Sequence, residues 1–195
     1  MKNTRKGFTL VELLAVIVIL AIIMIIAIPS VLGTMTTARQ KSFCEYVTKV
    51  YMAAQNKYMA AQTLGDTYVI GNQTATNVPY TKGESTATSS GFYYDVREDL
   101  GLENVGDYNG YVMIVKPTAS DSKPHFVVVL WDSNYMLVSG ANYFYEYTEE
   151  PKTTNLVDTD TAIAGRITKL FYDATGKKNK AVDASKLTKT DLPAA

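Results

Sequence analysis

Between Leu13 and Ala38 the chain carries no charged side chain. Such a run fits few environments. As a helix, the block from Phe8 to Ile28 would extend roughly 31 Å, about the thickness of a bilayer's hydrocarbon core. It follows a short polar opening, MKNTRKG, with Lys2, Arg5 and Lys6. Basic residues before a span and none soon after it predict an N-in, C-out orientation. A secretory signal peptide also begins this way, but its apolar stretch is shorter and ends at a small-x-small site. A plain anchor fits the length but leaves Glu12 without a reason. A carboxylate near the start of a spanning helix costs a few kcal/mol on insertion scales, so it is read as functional.

The stretch GFTLVELLAVIVIL, residues 7–20, resembles the type IV prepilin signature shared by type IV pilins and pseudopilins. The likeness spans Gly7 to about Val31: a basic leader, a glycine, a phenylalanine, a glutamate five residues into the mature chain, and an apolar run. It implies a leader of residues 1–7, cut between Gly7 and Phe8 by a prepilin peptidase that also N-methylates Phe8. It implies that Glu12 serves filament assembly, and it gives as partners other pilin subunits, the peptidase/methyltransferase, the assembly platform and, before assembly, the membrane. The expected course runs from a single-pass precursor in the cytoplasmic membrane to an extracellular filament. Electrostatics agrees with that role for Glu12. Cleavage leaves an amine on Phe8, and a carboxylate on a neighbouring subunit would neutralise it; a paired buried charge is far less costly than an isolated one. The signature serves pilus subunits and the pseudopilins of type II secretion or competence machines alike. The length of 195 residues favours a pilin over the short competence pseudopilins.

Pro29 lacks a backbone donor and is expected to bend or loosen the helix, with Gly33 a second weak point. Beyond it, Phe43, Val47, Val50, Ala54, Tyr58 and Ala61 recur at steps of three and four, a helical stripe needing a sheet to cover it. Residues 30–65 therefore read as an amphipathic half-helix ending near Gly65, after a transmembrane and polymerisation segment of residues 8–29. Residues 66–195 form a head. Its first part, 66–91, is rich in Gly, Ser, Thr and Asn, contains Pro79 and reads as a loop. Within it, Asn72-Gln73-Thr74 fits the N-glycosylation pattern.

Three β-branched and aromatic runs follow, at 111–116, 125–131 and 135–139, with Tyr143, Tyr145 and Tyr147 as a further edge strand. The fold class is α+β: a pilin-like long helix whose second half packs on an antiparallel sheet of about three to four strands. Ile163, Ile167, Leu170 and Phe171 suit a short helix from near Asp160 to near Gly176. Lys177 to Ala195 reads as a loosely packed tail.

Catalysis finds little here. His125 is the one histidine and Cys44 the one cysteine, so a thiolate cluster, a histidine-rich zinc site and an intrachain disulfide are excluded by count. There is no phosphate loop and no dinucleotide fingerprint. Cys44 reads as a buried helix residue, and Trp131 as sheet packing. Asp158 and Asp160 hint at calcium but lack the full loop pattern, so they read as helix-start carboxylates. No enzyme activity, cofactor or metal is expected. The formal charge is zero and becomes mildly acidic once the leader is removed, which argues against a nucleic-acid partner.

Overall fold

A computed structural model of the chain describes residues 7–64, 73–78, 90–102, 106–117, 121–140 and 142–187. It divides into two compact units, Met1–Arg39 and Gln40–Ala195. One helix, α1 (Leu10–Leu64), runs through the boundary. In the first unit every described residue from Gly7 to Arg39 is exposed, including the whole aliphatic run. This segment is long and apolar enough to cross a membrane. The helix continues through Pro29 and Gly33 without interruption.

In the second unit the buried face of α1 consists of Phe43, Cys44, Val47, Val50, Ala54, Tyr58 and Ala61. These are the six residues of the sequence stripe, with Cys44 beside them. Among the described residues the sheet has eight short strands, a wider array than expected: β1 (Thr74–Thr76), β2 (Gly91–Asp95), β3 (Asn109–Val115), β4 (His125–Trp131), β5 (Tyr135–Leu137), β6 (Tyr145–Glu146), β7 (Leu156–Asp158) and β8 (Ala181–Asp183). Their order is β7-β5-β4-β3-β2-β1-β8, with β6 also pairing on β4. All pairs are antiparallel except β1 with β8. A second helix, α2 (Thr161–Phe171), begins on Asp160, whose side chain accepts from the amides of Ala162 and Ile163.

Alternation along β2, β3 and β4 builds two cores. Phe92, Tyr94, Val112, Ile114, Phe126 and Val128 pack with the α1 stripe. Tyr93, Tyr111, Met113, Val127 and Val129 pack with Ile163, Ile167 and Phe171 of α2. The sheet is covered on both faces, so its central strands are apolar at nearly every position.

Several sequence expectations change. The strand expected at 111–116 runs instead from Asn109 to Val115 and takes in Gly110, where a Cβ would meet Val129 O at 2.2 Å, which is why the position is bare. The strand expected at 135–139 pairs regularly only to Leu137. The tyrosines at 143, 145 and 147 do not share one edge strand: Tyr143 belongs to the α2-side core, and Tyr145 and Tyr147 to the α1-side core. Helix α2 ends at Phe171, short of Gly176, because Tyr172 is extended and bridges to Lys178. The chain reverses between them: Asp173 Oδ1 accepts from the amides of Thr175 and Lys177, and Gly176 adopts φ +77°. The tail is no loose appendage up to Leu187, since Val182, Ala184 and Leu187 are buried in the α2-side core. Thr74–Thr76, placed in a loop by composition, forms β1. Gly65, Asn72 and Pro79 lie outside the described residues, and the glycosylation pattern with them.

Candidate functional site at the N-terminus

The first turn of α1 is organised by Thr9 and Glu12. Thr9 is the residue before the helix, and Glu12 is the third residue inside it. The Thr9 amide and its hydroxyl both donate to Glu12 Oε2, each at 2.8 Å. In return the Glu12 amide donates to Thr9 Oγ1 at 3.3 Å. This is a capping box, in which hydroxyl and carboxylate satisfy amides that the helix start leaves without partners. The negative charge also sits at the positive end of the helix dipole. Sequence reading singled out Glu12 for its charge and missed Thr9. The signal was present, as a threonine three residues ahead of a glutamate before an apolar run.

Both Thr9 contacts fall on Oε2, and among the described residues Oε1 has no partner within the subunit. Phe8, immediately ahead of the cap, is 92% exposed. A side chain built on Gly7 would meet nothing within 4 Å, so the fold itself does not demand glycine there. Gly7 and Phe8 thus directly precede the capped first turn of an exposed apolar helix, the turn that carries Glu12, while Pro29 lies in the body of that helix.

The head's singled-out residues have structural surroundings. Cys44 is buried on α1, and burial pushes its thiol above the usual range. Trp131 is buried against Tyr111. Asp160 caps α2, while Asp158 ends β7. Among the described residues no group of histidine, cysteine or carboxylates is arranged to hold a metal ion. His125 stands between Asp121 and Glu146, with no nucleophile among the partners seen.

A family model described as the prokaryotic N-terminal methylation motif matches residues 2–28. No curated protein and no solved structure matches the chain. The matched residues are those of the basic opening, the capped turn and the apolar run. The motif marks pilin-like structural subunits and implies processing by a prepilin peptidase and assembly with other pilin subunits. The helix that carries it is consistent with a membrane-anchored precursor. Residues 2–28 thus carry the prepilin signature that type IV pilins and pseudopilins share, on a long N-terminal apolar helix.

Proposed function

We propose that the protein is a structural subunit of a type IV pilus, cut between Gly7 and Phe8, N-methylated on Phe8, and drawn from the membrane into a surface filament serving adhesion, motility or DNA uptake. One observation carries this reading. A carboxylate stands at the start of an exposed apolar helix, and among the described residues only one of its oxygens is engaged. In the filament the second oxygen of Glu12 meets the Phe8 amine of a neighbour. The capping box supports the pairing by fixing the carboxylate's rotamer before the neighbour arrives, so less side-chain freedom is lost on binding. Among the described residues nothing crowds Gly7, which supports a role for the glycine in recognition by the peptidase. Pro29 leaves one carbonyl of α1 without its helical donor, so the helix loosens there most readily when subunits pack.

Glu12→Ala tests the reading. Membrane insertion should persist, since alanine costs less than a carboxylate in lipid. Cleavage should persist too, because the cut lies on the far side of Phe8. Sheared surface filament, measured by immunoblot against the membrane pool, should fall by more than about a hundredfold, as expected when one partner of a buried pair is removed at roughly 3–5 kcal/mol. Glu12→Gln should be partly defective. A normal filament yield from Glu12→Ala would remove the pairing role and with it the filament reading.

A further inference from the structure

The two ends of the sheet differ in charge. In the order β7-β5-β4-β3-β2-β1-β8, β7 closes one edge and β8 the other, and among the described residues no further strand pairs beyond either. Between Glu149 and Asp160, the segment that carries β7, four carboxylates stand with one lysine. Between Lys177 and Lys186, the segment that carries β8, four lysines stand with one carboxylate. Some of these charges are engaged within the subunit. Lys152 lies 3.8 Å from Glu149, and Asp160 caps α2. Lys178 reaches Glu98 and Asp99, and Asp183 accepts from Ser185 and Asn77. The others face solvent: Glu150 and Asp158 on the β7 side, and Lys177, Lys180 and Lys186 on the β8 side.

Each edge also shows apolar surface. Val157, in the middle of β7, is 40% exposed; among the described residues of the head it is the one large hydrophobic side chain exposed away from α1. Ala181, which opens β8, is exposed as well. Charged side chains at a sheet edge commonly keep other chains away. That defence holds when both edges carry the same sign. Here β7 against β7 would set carboxylates together, and β8 against β8 would set lysines together, whereas β7 against β8 matches opposite charges. A contact between two unlike patches is head-to-tail. It leaves one edge of each kind open at the ends, so it propagates from copy to copy where a two-fold contact would close.

We infer that the β7 edge of one head docks against the β8 edge of a second copy of this chain, with Glu150 and Asp158 facing Lys180 and Lys186 around Val157. The inference rests on the filament reading for the assembly in which copies meet, and it adds the contact between heads.

The test is carbodiimide coupling on cells that make the full chain, which joins a carboxylate directly to a lysine amine. Sheared filament and membrane pool are separated, and the linked peptides are mapped by mass spectrometry. Along one sheet the two edges lie roughly 29 Å apart, six strand spacings, so a bond between them joins two copies. Links from Glu150 or Asp158 to Lys180 or Lys186 are expected in the filament. Reversing one edge, as Glu150→Lys with Asp158→Lys or as Lys180→Glu with Lys186→Glu, should lower sheared filament by about tenfold or more, since like charges then meet. Reversing both edges together should restore most of the yield, which a misfolded head would not do. Normal filament without the edge-to-edge link, or full yield from either one-edge variant, would overturn the contact and leave the filament reading standing. A combined variant as poor as Lys180→Glu with Lys186→Glu would also overturn it, in favour of a polyanion on the basic edge. The link in the membrane pool, with no sheared filament from the unaltered chain, would keep the contact and end the filament reading. Neither link nor filament would end both.

Discussion

Thr9 and Asp160 stand at the same position relative to their helices, and each satisfies amides that the first turn leaves open. They differ in what else they do. Asp160 caps α2, whose buried face is Ile163, Ile167 and Phe171. Asp160→Ala should therefore cost about 1 kcal/mol of head stability, the usual worth of an N-cap, with no effect on cleavage; denaturant unfolding of the head measures it. Thr9 fixes the carboxylate on which assembly is proposed to depend. At this scale the sequence was legible where a residue type was costly in its setting, as with Glu12 in an apolar run. Thr9 was harder to see because threonine is ordinary anywhere. Gly110 fell outside the expected run 111–116 because its reason, the close approach of Val129 O from β4, lies in a strand some twenty residues away.

Among the elements, α1 was legible because its stripe repeats over five turns, and all six stripe residues are buried. The central strands β3 and β4 were legible as apolar runs between turn residues. The short strands were not. Thr74–Thr76 sits in polar, low-complexity surroundings, and its pairing with β8 joins residues more than a hundred positions apart. No local pattern announces such a partner. The C-terminal segment was misjudged for a related reason: besides its few buried apolar residues, its hold on the head is polar. Lys178 Nζ reaches Asp99 Oδ2 at 2.9 Å and Glu98 Oε2 at 3.0 Å. The Tyr172 hydroxyl donates to Asp95 Oδ2 at 2.7 Å, and the Tyr93 hydroxyl to Asn179 O at 2.7 Å. Desolvation works against the Lys178 charge, yet its bonds to Asp99 and Glu98 hold the ammonium above its usual range. Burial and the bond to Asp95 likewise push Tyr172 up. Both groups are raised in the folded state, so their contribution is complete below the unfolded values near pH 10 and is lost as pH climbs past them. The head's melting temperature should hold to about pH 9 and then fall. In Lys178→Met the fall should be shallower, starting from a lower plateau. A decline of unchanged depth in Lys178→Met would show that Lys178 does not fasten the C-terminal segment.

For the whole molecule, the two cores draw on no described residue before Phe43. The exposed aliphatic residues gather instead between Phe8 and Met35. Removing residues 1–29 should thus leave a soluble, cooperatively folding monomer, since what is lost is surface suited to lipid or to other subunits. Sedimentation and a single thermal transition with intact near-ultraviolet dichroism would bear this out. Aggregation or a molten spectrum would place part of the head's stability in the apolar segment. The α+β class was accessible from the sequence because one helix face and the apolar strands need each other. The second layer, in which α2 and the C-terminal segment cover the sheet's other face, was not, because only the finished sheet shows that both its faces are apolar.

In the proposed function the chain is cut behind Gly7, methylated and carried outward in a filament. Intact-mass measurement on protein sheared from the cell surface tests it most directly. The sheared protein should lack MKNTRKG, begin at Phe8 and be heavier than the bare polypeptide by one methyl group. A surface protein that keeps its leader, or one that begins near Gly33 after the apolar run has been removed, would contradict it.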